Sequence, residues 1–447
     1  MQSIAEQMVL FERGALRHRR SPAFSDNKSA PIHRWVPWIA GFSADFVQAI
    51  LREFMPTTDV RSRSVLDPFA GVGTTLVEAL RSGYEAVGFE INPYAALATR
   101  VKLECLNLKP GKLVRESDRF ARFVSRRLQS GIEPVSSPPE GFRSRVAFYS
   151  PRVLPQVLHC LDFINSISDR QVRDVFLLAF GSVMVAFSNY SYEPSLTTRE
   201  GVGREPVKDA NVPVIIRDKL AQIFVDIRGF QEELRLQPRR PRGRLYTETF
   251  MKAEEFLAPS SVDLVITSPP YLNNYHYVRN TRPQLHWLGL NSPKLMEELE
   301  RQNIGRFWQT VREAPPVPLS VPHEGIAKQV YTIRNMNPDR RAYGGPGWAN
   351  YVASYYNDTF AYLRILKKLL KRRARAVIVI GNSIIQGVNL PVDRHICELA
   401  EQLGLEPCAI RLLREKRVGS SIVDSSCRNG NGVKAALYES AVILAKR

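Results

Sequence analysis

SVLDPFAGVGTTLVEALRSGYEAVGFEI, residues 64–91, is the stretch from which the fold can be read. A short apolar strand ends at Val65 and Leu66, and a turn containing Gly71 and Gly73 follows. Leu76, Val77, Ala79 and Leu80 then mark the buried side of a helix, which Thr74 or Thr75 is placed to cap and Gly83 to stop. AVGFE is a second strand, and it ends in an acid. Strand, glycine turn, helix and strand make half of a doubly wound sheet, whose ligands bind outside the carboxyl ends of the strands. The expected fold class is α/β, with a mostly parallel, Rossmann-like sheet.

The turn DPFAGVGTT at 67–75 offers backbone that a ligand can approach closely, at a helix start suited to an anionic group. Leu76 replaces the third glycine of G-x-G-x-x-G and no G-K-[ST] follows, so neither the dinucleotide fingerprint nor a nucleotide P-loop is complete. Glu90 stands where an acid can accept both hydroxyls of a ribose. A nucleoside-bearing cofactor is implied, without its identity.

Working outward, VDLVITS at 262–268 and ARAVIVIG at 374–381 are near-continuous apolar runs, as strands buried on both faces should be. DTFAYLRILKKLL at 358–370 and VDRHICELAEQLG at 392–404 have helical spacing, and YESAVILAK near the C-terminus reads as one more strand. The first apolar run leads directly into SPPY at 268–271. Two prolines there fix an extended turn and leave their carbonyls without competing N–H groups. One hydroxyl, one unopposed carbonyl and one aromatic ring at the same point can hold a flat base bearing an exocyclic amine. Ser268 and the Pro269 carbonyl would accept the amine hydrogens, and Tyr271 would stack.

These two motifs resemble those of the amino-group DNA methyltransferases that use S-adenosylmethionine. DPFAGVGTT with Glu90, Asn92 and Pro93 is similar to the family's cofactor motif, and TSPPY to its catalytic motif. HRWVPWIAGFSADFVQAILREF at 33–54 is similar to the segment that precedes the cofactor motif, and VIVIGNS at 377–383 also fits. The resemblance implies a class I methyltransferase fold. It puts Asp67, Phe69, Gly71, Gly73, Thr74, Glu90 and Asn92 on the cofactor, with Glu90 at the ribose, and Ser268, Pro269, Pro270 and Tyr271 on the target base. SPPY is more typical of cytosine-N4 enzymes, and D-P-P-Y or N-P-P-Y of adenine-N6 enzymes. The acid that the family often places beside the cofactor's adenine has no clear match in LYTETFMKAEEF at 245–256.

Helical patterning sets off a mostly helical insertion at 108–243, between a first part of the catalytic domain at 1–107 and a second part at 244–447. The insertion, with patterns such as RVLPQVLHCLDFI and DVFLLAFGSVMVAF, is expected to read the DNA target. A stretch rich in APPVP, NPDRR and GGPG at 311–350 is expected to be a long loop. His276, His286, Asn273, Asn274, Tyr275 and Arg279 follow the catalytic turn; the histidines are expected to pack, whereas the other four are within reach of a flipped nucleotide.

Composition agrees. The 447 residues carry 62 Lys plus Arg against 44 Asp plus Glu, a net charge of +18 that favours a polyanionic partner. Of the basic runs, RGALRHRR at 13–20 and KKLLKRRAR at 367–375 are candidates for phosphate contacts, and RRPRGR at 239–244 is the preferred one. FLLAFGSVMVAF at 176–187 is shorter than the ~20 residues a membrane span needs and reads as a buried helix. The N-terminus has no signal-peptide pattern, so a cytoplasmic location is expected. Five scattered cysteines, Cys105, Cys160, Cys397, Cys408 and Cys427, argue for buried thiols over a zinc site or disulfides. Pro407–Cys408 has the dipeptide of a C5-cytosine nucleophile but lies far from SPPY in an apparent structural strand.

The expectation is transfer of a methyl group from S-adenosylmethionine to the exocyclic amine of a base flipped out of double-stranded DNA. Cytosine N4 stands ahead of adenine N6, with the enzyme acting alone or beside a restriction endonuclease. An RNA amino-group methyltransferase, a non-catalytic DNA-binding homologue and a nicotinamide-dependent dehydrogenase are the weaker readings. SPPY has no role in hydride transfer.

Overall fold

The computed structural model describes residues 27–38, 41–55, 63–192, 195–237, 240–272, 277–416 and 437–447. Its main sheet has strands β1 (Ser64–Asp67), β2 (Glu85–Phe89), β3 (Gly243–Tyr246), β4 (Val262–Thr267), β5 (Leu370–Gly381), β6 (Leu405–Lys416) and β7 (Leu437–Lys446). Their order across the sheet is β6-β7-β5-β4-β1-β2-β3. The pairs β1–β2, β1–β4, β2–β3 and β4–β5 are parallel, and β7 runs antiparallel to both β5 and β6. The order reverses at β1 and β4, which opens a crevice at the carboxyl ends of those strands. This is the Rossmann-like architecture of class I methyltransferases.

Helices cover both faces. Among the described residues, besides a single turn at Trp308–Val311, they include α1 (Ala44–Phe54), α2 (Thr74–Arg81), α3 (Pro93–Glu104), α4 (Pro110–Ser130), α5 (Leu154–Ser166), α6 (Arg170–Val183), α7 (Val212–Arg235), α8 (Tyr277–Trp287), α9 (Pro293–Gln302), α10 (Glu324–Arg334), α11 (Gly345–Leu369) and α12 (Val392–Gln402). Successive strand residues point to opposite faces. Leu264, Ile266, Val377 and Val379 therefore join one core with α1, α2 and α3, while Val265, Ile378 and Ile380 join the other with α10, α11 and α12.

The insertion is mostly helical, with α4 to α7 and a small hairpin at Tyr190–Tyr192 and Leu196–Thr198. It is not a separate body, because Phe120, Phe163 and Phe176 belong to the same core as α1 to α3. Asp226 on α7 clamps the N-terminal segment, accepting from the Ile32 N–H, the Trp35 indole and the Arg34 guanidinium. Residue 243, the expected end of the insertion, is the first of edge strand β3.

Three expectations need correction. The stretch 311–350 is no long loop: it holds α10 and a 3-10 turn at Pro338–Tyr343, and α11 starts at Gly345. The glycines misled because they serve close packing. A Cβ on Gly345 would overlap the Ile333 and Met336 carbonyls, one on Gly347 would overlap that of Ala342, and Pro346 sits in the first helical turn, where no N–H is needed. Neither Thr74 nor Thr75 caps α2: the N-cap is Gly73 at φ 84°, and the Thr75 hydroxyl instead donates to the Ile266 carbonyl of β4. The helix expected to reach residue 370 ends at Leu369, and β5 begins at Leu370.

The run 367–375 accordingly spans a helix end and the amino end of β5, with Lys368 paired to Glu254 and Lys371 to Asp263. The described part of 239–244 is the run-in to β3, where Arg240 donates to the Leu106 carbonyl. Both runs lie at amino ends of parallel strands, the side of the sheet away from the crevice. The run 13–20, Arg239, Asn273, Asn274, Tyr275, His276 and Cys427 lie outside the described residues.

Candidate active site

The carboxyl ends of the parallel strands converge on one cavity of about 250 Å³. Pro68, Phe69 and Gly71 follow β1; Glu90, Ile91 and Asn92 follow β2; Glu248, Thr249 and Phe250 follow β3; Ser268, Pro270 and Tyr271 follow β4. Trp38 and Gly41 enter from the N-terminal segment, Tyr277 and Val278 from α8, and Arg414 and Glu439 from the antiparallel strands. The two motifs, about 200 positions apart in the chain, thus wall one space.

Glu90 is fixed by backbone. Its Oε2 accepts from the Gly71 N–H at 2.8 Å and its Oε1 from the Asn92 N–H at 2.7 Å. Burial nevertheless raises its pKa to about 7, with the nearby Asp67 charge adding to the shift. Asn92 caps α3 through its Oδ1, and its Nδ2 donates to Thr281 Oγ1 of α8 at 2.8 Å. The loop after β2 is thereby tied to the helix that follows the Ser268–Tyr271 turn. Phe69 packs edge-on against Phe250 and Tyr362.

Asp67, Gly73, Thr74 and Pro269 are not among the lining residues. Asp67 is buried behind the turn, accepting from Thr267 Oγ1 at 2.7 Å and from the Phe69 N–H at 3.1 Å. Burial raises its pKa to about 6. Gly73 serves packing: a Cβ there would lie 2.9 Å from Thr99 Oγ1. On the turn after β4, Ser268 Oγ stands 3.5 Å from the Tyr271 hydroxyl, and the Tyr271 ring lies beside Gly381 of β5. His286 is absent from the cavity and instead contacts Asn291 and Phe142; Arg279 is exposed and does not line it either.

Residues 25–100 match a family model described as DNA methylase. The Type II methyltransferase M.BsoBI of Geobacillus stearothermophilus is 22% identical over 444 residues, covering 90% of this chain and 84% of that protein. M.AvaI of Nostoc sp. is 20% identical, covering 90% and 85%, and M.MvaI of Kocuria varians is 21% identical, covering 80% and 79%; both are also Type II methyltransferases. The chain is thus similar to DNA methyltransferases, at residues 25–100 to the family model and over most of its length to the Type II enzymes.

The similarity to DNA methyltransferases implies S-adenosylmethionine as the cofactor, and the residues fit it. Gly71, at φ 52°, lines the cavity together with Trp38, whose indole nitrogen would stand 3.4 Å from a Cβ at that position. The half-buried Glu90 carboxylate faces the same space with its two oxygens held in place. No group of His, Cys, Asp or Glu among the described residues could hold a metal ion. Cys105, Cys160, Cys397 and Cys408 are free thiols, and Cys408 is in β6, away from the cavity. Among the described residues no helix is long and apolar enough to cross a membrane.

Several site residues escaped the sequence reading. Glu248 lines the cavity just after β3, inside the segment 245–256 that offered no clear acid. The signal was present, a polar residue shortly after a strand's end, but the four-residue edge strand is too short for periodicity to show. Trp38, Arg414 and Glu439 are brought in from both ends of the chain. Lys102 is fully buried and donates to the Val72 carbonyl at 2.7 Å, pinning the glycine turn; burial lowers its pKa to about 7.

Proposed function

We propose that this protein transfers a methyl group from S-adenosylmethionine to the exocyclic amine of a base in double-stranded DNA, with cytosine N4 as the acceptor. The observation that carries the reading is the single cavity shared by Glu90 and the Ser268–Tyr271 turn. The relatives' Type II names support DNA as the substrate, and SPPY in place of D-P-P-Y or N-P-P-Y favours cytosine.

When bound, the cofactor supplies an electrophilic methyl on a sulfonium. Glu90 would accept from its ribose hydroxyls, Phe69 and Phe250 would contact apolar surface, and Glu248 would accept from the adenine amine. The target base leaves the stack, because its amine cannot reach the cavity inside a duplex. Ser268 Oγ and the Pro269 carbonyl would accept the amine hydrogens, and Tyr271 would stack on the ring. Those hydrogen bonds localise the nitrogen lone pair, which ring conjugation otherwise delocalises, and aim it at the methyl. No covalent bond to the protein is needed.

The DNA approaches from the carboxyl side of the sheet in this reading. The insertion at 108–243 is proposed to read the target; in support, its hairpin is tied to the helix after the Ser268–Tyr271 turn, where Tyr192 OH donates to the Asn280 carbonyl of α8 at 2.9 Å and the Leu196 N–H to Asn280 Oδ1 at 3.0 Å. The test is incubation with labelled S-adenosylmethionine and mixed-sequence duplex DNA, then nucleoside digestion and mass analysis. N4-methylcytosine is expected. N6-methyladenine would reassign the base, and cofactor binding without transfer would refute the activity.

A further inference from the structure

Arg414 and Glu439 are direct partners in the antiparallel register of β6 and β7, and Arg414 Nε donates to Glu439 Oε2. Glu439 is also the register partner of Gly381 in β5. Against Gly381 lies the Tyr271 ring, so near that a Cβ there would stand 3.4 Å from two ring carbons. The tyrosine of the catalytic turn therefore sits one strand from Glu439 and two from Arg414, and all three open on the same cavity as Ser268 and Pro270. Glu439 is 9% exposed in its side chain and Arg414 35%. An ion pair in such a wall costs desolvation that apolar residues would avoid, so stability alone does not account for it.

We propose that Arg414, oriented by Glu439, reads the ring edge of the target base and makes the site select cytosine. This rests on the amino-group methyltransferase reading above. Along one edge cytosine presents its amine, then N3, then O2, a donor followed by two adjacent acceptors. A guanidinium is a planar fork of N–H donors that can meet two adjacent acceptors while the amine points to Ser268. Adenine presents its amine and N1, but then a C–H, leaving one arm of the fork without an acceptor in a desolvated site. Glu439 offsets the cation's charge and holds its plane. A lysine at 414 would keep the charge and lose the fork.

The experiment uses full-length protein and a synthetic duplex containing the site that the wild type methylates in mixed-sequence DNA. A second duplex carries 3-deazacytosine at the target, which keeps the amine and O2 but replaces N3 with C–H. The wild type should form N4-methylcytosine. Arg414→Met and Arg414→Lys should each lower kcat/KM on cytosine roughly 10- to 100-fold, the range for losing one bidentate base contact. S-adenosylmethionine affinity, read by equilibrium binding, should not change. The deaza duplex should slow the wild type and add no further loss in Arg414→Met. Should Arg414→Met fail to bind cofactor because a buried carboxylate is left unpaired, Arg414→Met/Glu439→Gln carries the same comparison. N4-methylcytosine from the wild type with an undiminished deaza penalty in the variant overturns this proposal alone. N6-methyladenine from the wild type overturns the cytosine reading and this proposal with it.

Discussion

Thr267 Oγ1 donates to Asp67 Oδ1 at 2.7 Å, joining the last residue of β4 to the last residue of β1. The bond ties the turn at 67–75 to the strand that launches the Ser268–Tyr271 turn, at the point where the sheet order reverses. Thr267 is also, with Thr75, a side-chain partner of a buried carboxyl whose pKa burial has raised to about 6.

Thr267→Val should therefore destabilise the protein by about 1–3 kcal/mol, the cost of removing one of the donors to a buried polar group. The loss should be larger at pH 8 than at pH 5. A carboxyl with a raised folded pKa contributes stability that is complete below its unfolded value and lost as pH rises through about 6, and the Thr267 hydroxyl limits that loss by stabilising the ionised form. Urea titrations at both pH values decide it; equal destabilisation at the two would contradict the assignment.

Glu90 links cofactor binding to pH. Its pKa of about 7 means that apo stability from this group is full below about 4.5 and lost as pH rises through 7, whereas cofactor hydroxyls need the ionised form. Affinity for S-adenosylmethionine should thus weaken from pH 8 to pH 6, by up to about tenfold per unit below 7. Glu90→Gln should bind weakly at every pH in that window, without the slope. Calorimetric titration of both proteins is the check, and a flat wild-type profile would sink the role given to Glu90.

Ser268→Ala should reduce kcat by roughly 10²-fold, as expected for removing one group that acts on developing charge, while cofactor affinity changes less than about twofold. Single-turnover transfer and equilibrium binding separate the two effects. Parallel loss of both would mean that the catalytic turn also builds the cofactor site.

Gly73→Ala should cost about 1–3 kcal/mol, because the residue holds φ 84° and its new Cβ would press on Thr99. Adding Thr99→Ala relieves the contact but not the backbone strain, so the double variant should recover only part of the loss. Complete recovery in denaturant titrations would show that crowding, not φ, sets the requirement.

Arg242→Ala/Arg244→Ala should leave the salt dependence of DNA binding nearly unchanged. Both arginines are exposed on the edge strand or its run-in, on the side away from the crevice. A drop of about one or two in the log–log salt slope would instead place phosphates against this edge.

Two local patterns were legible before any coordinates. Gly71 and Gly73 declare a tight turn because of the backbone angles glycine allows, and SPPY declares a rigid strand exit because proline restricts φ; both are properties of adjacent residues. Parallel strands 262–267 and 374–381 were equally visible, since burial on both faces leaves an unbroken apolar run. The helix start at Gly345 was hidden, because glycines needed for close packing look like those of a loop. Partnerships across the sheet were also hidden. Whether Asp67 faces a ligand or Thr267, and whether Arg414 is a surface charge or a neighbour of Tyr271, depends on which strands lie side by side. Crossover connections set that order, pairing residues about 200 or 140 positions apart, and no spacing along the chain encodes such a contact. The chemistry of the two motifs was local; the cavity that joins them, and the charge pair in its wall, exist only once the sheet has formed.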